Sequence, residues 1–262
     1  MKKAATRLWE TLLWGGTFRE RALLFFLSRH YRSLFRRTWN LSDRPPLHEI
    51  HRGEWFSLGF DAKPNSVPGY FARGFYAAEC IRPGDRVLDI GCGDGFFSKR
   101  FLASTGAQVD ALDIDPGALT VARRFNPDPH VRFWLTDATE TPFPSDRYEV
   151  VVWDGALAHF PAETTQGMLR KIASVLSPDG IFVGSESLGR EDHGHRQFFD
   201  HLGDLEKSLR PHFTHCILRE WSYPINGGSQ LRREAFWRCA QTVKGIRRGG
   251  WMDSGKVVRE GA

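Results

Sequence analysis

The sequence predicts an α/β protein built on a mostly parallel sheet with helices on both faces. Three observations indicate this class. From residue 85, short apolar runs alternate with segments of helical spacing, as in proteins whose strands run parallel. The first apolar run leads directly into glycines at positions 91, 93 and 95. The last two apolar runs follow one another without a helix, which predicts an antiparallel hairpin at one edge of the sheet.

The alternating pattern gives each element in turn. Five strands are predicted at Arg86–Ile90, Gln108–Ile114, Val131–Leu135, Tyr148–Trp153 and Ile181–Ser185. Helices are predicted at Pro68–Cys80, Phe96–Ala103, Pro116–Phe125, Pro161–Leu176 and Gln197–Leu209, and the final strands at Cys216–Trp221 and Glu234–Ala240. The run YEVVVW in the fourth strand is apolar enough for a central position in the sheet.

Residues 1–46 are predicted to form a basic, amphipathic helical extension. Ten Lys and Arg against three Asp and Glu give it a charge of +7; the whole chain carries +5, so residues 47–262 carry −2. Asp43-Arg-Pro-Pro46 marks a linker, after which residues 47–243 form the main domain. Residues 244–262 are rich in glycine and basic residues and are predicted to be a flexible tail.

Composition favours a cytoplasmic protein. The four cysteines stand far apart without a CxxC pair, which is typical of free thiols in a reducing compartment. The longest apolar run in the extension, Ala22–Leu27, has six residues, whereas a spanning helix needs about 20. Ser28–Arg32 follows this run in place of the small-residue cleavage site of a signal peptide, so we expect the segment to be retained.

The glycine loop after the first strand is a candidate ligand site. Parallel sheets bind ligands beyond the carboxyl ends of their strands, and glycines let a ligand approach the backbone closely. The spacing is G-x-G-x-G, with Phe96 where the dinucleotide fingerprint has its third glycine. Asp89 and Asp94 would repel a pyrophosphate and suit a ligand that carries positive charge. The alternative is a tight turn without a ligand.

Acidic residues also end the second and third strands. Asp113 lies about 20 residues after the glycine loop, where a carboxylate can accept both hydroxyl hydrogens of a ribose. Asp115 is expected to cap the next helix instead. Asp137 and Ala138 follow the third strand, where a carboxylate and a backbone N–H match the edge of an adenine. The alternative for these acids is a solvated loop.

Together, four segments of the chain resemble the class I S-adenosylmethionine-dependent methyltransferases of the small-molecule kind. They are VLDIGCGDG, ALDIDPGALTVAR, FWLTDATETPFPSDRYEVVVWDGALAHF and LSPDGIFVGSE, and the resemblance covers residues 85–186 well. Where the family usually has an aromatic residue followed by Asp, this chain has Tyr148-Glu149. The resemblance implies a Rossmann-like seven-stranded sheet whose last strand is antiparallel.

The resemblance also implies S-adenosyl-L-methionine as cofactor, bound mainly by residues 85–186. Gly91 and Gly93 would lie beside its methionine and ribose, with Asp89 near the amino group. Asp113 would hold the ribose. The remaining implied cofactor contacts are Cys92 and Ile114 in the first two loops, Asp137 and Ala138 at the adenine, and Trp153 and Asp154 with Gly155 at the methionine tail.

Methyl transfer from a sulfonium mainly requires alignment of nucleophile, methyl and sulfur, with removal of a proton from the acceptor. His159, beyond the fourth strand, is the candidate general base, and the alternative is a helix-start residue with a backbone partner. Aromatic candidates near the sulfonium are Trp55, Tyr70, Phe71 and Trp153, each of which is otherwise a core residue. The loop with Glu186, Glu191, Asp192, His193 and His195 is expected to overhang the acceptor; its spacing does not predict a metal site.

The predicted function is methyl transfer to oxygen of a small-molecule, lipid-linked or glycan acceptor. In the superfamily that the chain resembles, enzymes that methylate amino groups of nucleic acids carry an Asn/Asp-Pro-Pro-aromatic run after the fourth strand. This chain has Trp153-Asp-Gly-Ala there, which argues against nucleic-acid adenine as the acceptor. Residues 1–46 are interpreted as a lid, as a contact with the anionic inner face of the membrane, or as a nucleic-acid arm. Two other functions stay open: an RNA methyltransferase that uses this arm, and a cofactor-binding partner subunit without catalysis.

Overall fold

A computed structural model of the chain describes residues 67–190, 195–225 and 230–249. The basic extension, Trp55, the acceptor-loop residues 191–193 and residues 250–262 lie outside the described residues. No helix in the described ranges has the length and apolar run that crossing a bilayer requires.

Seven strands form one sheet in the order β3-β2-β1-β4-β5-β7-β6. The strands β1 to β5 pair in parallel, and β7 is antiparallel to both β5 and β6, so β6 runs in the same direction as β5. The predicted sheet and its antiparallel last strand are therefore confirmed. The strands are β1 Arg86–Ile90, β2 Gln108–Asp113, β3 Val131–Leu135, β4 Tyr148–Asp154, β5 Leu176–Leu188, β6 His215–Ile225 and β7 Gln230–Ala240.

Helices cover both faces of the sheet. They are α1 Val67–Ala78, α2 Pro116–Phe125, α3 Ala162–Val175, α4 Leu202–Leu209 and α5 Val243–Ile246. One apolar cluster joins the sheet to α1 and α2 through residues such as Tyr76 and Leu119. A second cluster joins the other face to α3 and α4 through Leu169 and Leu205. Each face of the sheet is thereby removed from water, as a parallel sheet requires.

The central strands are buried on both faces. In β1, Val87 packs in the α1 cluster and Leu88 in the α3 cluster, and β4 alternates in the same way between Val150 and Val151. This explains why these strands appear in the sequence as continuous apolar runs instead of alternating ones.

Local signals predicted some boundaries better than others. β1, β3 and α2 begin and end where the sequence predicts, and Asp115 caps α2 by accepting from the N–H of Gly117 at 2.7 Å. The helix after the glycine loop is a π-helical turn, Ser98–Leu102, followed by a 3₁₀ turn, Ala103–Thr105. Two other boundaries differ more from the prediction. The strand β5, predicted from Ile181, already begins at Leu176, and the helix α4, predicted from Gln197, begins only at Leu202.

Residues 243–249 pack against the domain. Lys244 pairs with Asp179 at 2.5 Å, and Arg248 pairs with the carboxylate of Asp85 just before β1. The tail that the sequence predicts from residue 244 therefore starts with residues that are held to the sheet.

A buried ion pair links β7 to the end of α1. Arg238 is fully buried, its guanidinium pairs with the carboxylate of Glu79, and it lies 4.2 Å from the centroid of the Tyr76 ring. A Cβ on Gly249 would come within 2.5 Å of the guanidinium carbon, so the backbone of this glycine packs directly against Arg238 and leaves no room for a side chain. The pair fixes α1, which carries a residue of the site, against the C-terminal hairpin.

We expect Arg238→Met to lower the free energy of unfolding by about 3–5 kcal/mol, because it removes one member of a buried ion pair. Arg233→Met is the matched control on the same strand, since its partner Glu220 is partly exposed and such pairs contribute about 1 kcal/mol or less. Urea unfolding of both variants measures the difference. Equal losses would contradict a specific role for the buried pair.

Candidate active site

The glycine loop forms the edge of the sheet between β1 and β2. The N–H groups of Gly91 and Cys92 both donate to the carbonyl of Leu112 at 2.9 Å, which ties the loop to the last residues of β2. Gly91, Gly93 and Gly95 have φ angles of 76°, 55° and 72°. These are left-handed conformations that favour glycine. Gly93 is buried, yet a Cβ on it would meet no heavy atom within 4 Å among the described residues, so these residues leave room beside this part of the loop.

Asp113 joins the glycine loop to the tip of β2. One carboxylate oxygen accepts from the N–H of Gly93 and the other from the N–H of Asp115, each at 2.8 Å. The residue is buried at 3% exposure. A carboxylate offers about four lone-pair positions and is the residue type that accepts both hydroxyl hydrogens of a ribose diol. The structure thus brings the predicted ribose residue to the predicted loop.

Three carboxylates give the loop a negative environment. Asp89 accepts from the hydroxyl of Ser98 at 2.6 Å, and Asp94 accepts from the N–H of Phe96 at 3.1 Å. Burial raises the pKa of the Cys92 thiol well above its ordinary value, and Asp89, Asp113 and Asp94 raise it further. Cys92 is therefore a neutral thiol packed in the core, and the loop favours a cationic ligand over an anionic one.

The adenine side of the predicted site lies beyond β2 and β3. Ile114 is 59% exposed at the tip of β2, an apolar surface beside the loop. Asp137 accepts from both the N–H and the hydroxyl of Thr139 at 2.9 and 2.6 Å, and these bonds hold its pKa below the ordinary value. The Lys171 ammonium, from α3, donates to the carbonyl of Ala138 at 2.6 Å and lies 4.2 Å from the Phe143 ring centroid.

Beyond β4, Ser185 and Arg73 are among the neighbours that hold Asp154. Its carboxylate accepts from the hydroxyl of Ser185 at 2.5 Å and lies 3.7 Å from the guanidinium of Arg73 on α1. The preceding residue, Trp153, is fully buried and packs on Phe160, so its side chain belongs to the core and only its backbone reaches this edge. The methionine end of the predicted site is thus bordered by an ion pair.

His159 ends a 3₁₀ helix, Leu157–His159, that follows β4. Its ring lies edge-on to the His195 ring, with centroids 4.8 Å apart. The carbonyl of Ala158 accepts from the N–H of Arg196 at 2.8 Å, which ties the segment after β5 to this helix. Of the loop residues predicted to overhang the acceptor, His195 therefore lies beside the candidate base.

Glu186 lies within β5, in contrast to the predicted loop position. It is buried, and its two oxygens accept from the N–H groups of Ala158 and Ser187 at 2.8 and 2.9 Å. Burial raises its pKa to about 7; the two N–H bonds lower it, Asp154 raises it and Arg73 lowers it. The residue positions the 3₁₀ helix that carries His159.

Two residues that shape this site were not predicted from the sequence. Arg73 reaches Asp154 from α1, and Lys171 reaches the loop after β3 from α3. Neither has a local signal, because each is a basic residue on an ordinary amphipathic helix.

Residues 87–180 match a family model described as a methyltransferase domain. The uncharacterized methyltransferase YcgJ of Bacillus subtilis is 31% identical over 147 residues, which are 55% of this chain and 56% of that protein. Over these residues the matches support a class I S-adenosylmethionine-dependent methyltransferase domain. The YcgJ crystal structure shares the fold, with a TM-score of 0.51 and 17% identity, over 62% of this chain and 94% of that one.

Two further relatives have names that refer to small molecules. The sterol 24-C-methyltransferase ERG6B of Gibberella zeae is 33% identical over 106 residues, 39% of this chain and 27% of that protein. The ubiquinone biosynthesis O-methyltransferase of Xanthomonas campestris is 30% identical over 129 residues, 48% and 53% of the two chains. The matched stretches span about a quarter to a half of the length of these curated relatives.

The residues at this edge of the sheet fit S-adenosylmethionine. The room that the described residues leave at Gly93 would admit part of the cofactor, and the carboxylates around Cys92 suit its sulfonium and ammonium charges. Gly91, Gly93 and Asp89 would hold the methionine and ribose end, Asp113 the ribose, and Ile114, Asp137 and Ala138 the adenine. Asp154 borders the methionine tail. A bound cofactor supplies an already activated methyl group.

Glu186 is expected to make stability depend on pH. Its pKa in the folded state, about 7, exceeds the ordinary 4.5, so the folded protein binds this proton more tightly than the unfolded chain does. Its contribution to the free energy of unfolding is fully present below pH 4.5 and is lost as pH rises to about 7. Over that window the stability of the wild type relative to Glu186→Gln should fall by about 3 kcal/mol.

Chemical unfolding at several pH values measures this difference. Glu220→Gln is the control with the opposite sign, because Arg233 lowers the pKa of Glu220 and its contribution is lost as pH falls. Parallel pH profiles for the wild type and Glu186→Gln would contradict the assignment.

Proposed function

We propose that the chain is an S-adenosylmethionine-dependent methyltransferase that transfers the methyl group to oxygen of a small organic acceptor. One observation carries this proposal. The glycine loop is hydrogen-bonded to the buried carboxylate of Asp113, at the edge of the sheet where Asp154 and His159 also lie. A mere tight turn would not need a buried carboxylate at the tip of the neighbouring strand.

Residues of this chain would align the reaction and handle its proton. The glycine loop and Asp113 orient the cofactor, and the carboxyl ends of β4 and β5 border the acceptor side. His159, supported by Glu186 through Ala158, is the proposed base that takes the proton from the acceptor hydroxyl. Imidazole titrates near neutral pH, which suits a general base.

Transfer to oxygen is supported by one relative whose name includes O-methyltransferase, and a small acceptor by relatives named for a sterol and for ubiquinone biosynthesis. Contact of residues 1–46 with a membrane, a lipid-linked or glycan acceptor and the cytoplasmic location stay predictions from the sequence.

Cofactor binding can be tested by calorimetric titration with S-adenosylhomocysteine. Asp113→Ala should raise the Kd about a hundredfold, because two hydrogen bonds to a carboxylate are lost. Asp128→Ala is the control: this acid caps the turn before β3 and should leave the Kd unchanged. Absence of binding by the wild type would contradict the proposed function.

The role of His159 can be separated from cofactor binding. His159→Gln should lower kcat about 10²- to 10⁴-fold for small phenols and alcohols while leaving the Kd for S-adenosylhomocysteine unchanged. His130→Gln, on the surface before β3, is the control. A chain that binds cofactor but methylates nothing in this panel or in RNA would favour the non-catalytic partner subunit.

A further inference from the structure

A row of polar side chains crosses the sheet where β5 and β6 end and β7 begins, on the face covered by α1. Glu234 on β7 lies opposite Ser187 on β5 and opposite Trp221 on β6. Tyr223 lies opposite Arg232 one step further along the same hairpin. Side chains directly opposite each other share a face, so this row continues the surface that carries Ser185 and Asp154.

Glu234 is the buried carboxylate of this row, at 1% exposure. Its Oε1 accepts from the hydroxyl of Tyr223 at 3.0 Å and from Nε of Arg232 at 2.8 Å. Its Oε2 is buried and has no hydrogen-bond partner among the residues that the structure describes. A buried acceptor without a donor lowers stability, so such an atom indicates a function.

The position of this oxygen fits an acceptor of the size of one ring. From β4 to β7 there are two interstrand steps, about 10 Å, and Glu234 lies two residues, about 7 Å, further along the strands than the position opposite Asp154 and Ser185, so the backbones of Asp154 and Glu234 are about 12 Å apart. That separation leaves room for one aromatic ring between the two side chains. Trp221, 37% exposed, contacts both Tyr223 and Phe236, with its ring centroid 5.1 Å from that of Tyr223 and 6.3 Å from that of Phe236.

We propose that Glu234 determines which acceptor is methylated, by accepting a hydrogen bond through Oε2 from a hydroxyl or ammonium group of a hydroxylated aromatic ring. Tyr223 and Arg232 hold the carboxylate in place, and the aromatic side chains of the hairpin pack beside the ring. This inference rests on the proposed function and adds the chemical class of its acceptor.

Three ring probes of different charge test the proposal: catechol, its cationic analogue dopamine and its anionic analogue 3,4-dihydroxybenzoate. Each is titrated calorimetrically into the full chain loaded with S-adenosylhomocysteine. The wild type should bind catechol and dopamine more tightly than dihydroxybenzoate. Glu234→Gln should weaken dopamine about tenfold and catechol less, and should strengthen dihydroxybenzoate, because the carboxylate charge is gone while the shape is kept.

Glu220→Gln is the matched control, since Glu220 lies on the opposite face of the same hairpin and pairs with Arg233. It should leave all three affinities unchanged. Identical probe preferences in Glu234→Gln and the wild type would overturn the proposal, and so would failure of all three probes to bind the loaded wild type.

Two further measurements separate the sources of failure. The Kd for S-adenosylhomocysteine is measured for every variant, so loss of cofactor binding by the wild type marks failure of the proposed function itself. If Glu234→Gln does not fold, Tyr223→Phe replaces it, because it removes one bond to Oε1 and should weaken catechol about threefold. Unchanged catechol binding in a folded Tyr223→Phe would then overturn the proposal.

Discussion

The parallel pairing of β1 with β2 and β4 is the constraint on which the site depends. Because these strands run in one direction and are buried on both faces, their carboxyl ends meet at one edge, and each following loop leaves the sheet there. Asp113 connects two of these loops, because its carboxylate holds the glycine loop after β1 against the tip of β2. The acid that would hold the cofactor thus also builds the loop beside it.

The two halves of the site differ in how they are built. The half formed by β1, β2 and β3 rests on short backbone bonds within adjacent loops, such as those of Gly91 and Cys92 to Leu112. The acceptor half is assembled from side chains that are far apart in sequence. Arg73 reaches Asp154 from α1, Glu186 reaches the helix of His159, and Glu234 reaches Tyr223 across the hairpin.

This difference explains how far the sequence could be interpreted. β1, β3 and α2 have local signals, such as an apolar run, a glycine after it or a cap, and they were predicted with correct boundaries. The early start of β5 and the burial of Trp153 and Glu186 depend on which strands become neighbours. No short window of sequence contains that information, which is why Glu186 was expected in a loop and why Arg73, Lys171 and Glu234 were not anticipated as site residues.

The position of β7 between β5 and β6 has a consequence for the growing chain. β6 is made first, yet in the described sheet it pairs with β7 alone. When a ribosome has released the chain up to Ile225, the edge of β5 that pairs with β7 is still unpaired, and β6 lacks the strand with which it pairs in the described sheet. The sheet can be completed only after β7 has been made and the hairpin of β6 and β7 pairs with β5. Exposed strand edges invite pairing with other chains, so the interval between these two strands is the stage of synthesis at which this protein most needs protection from aggregation.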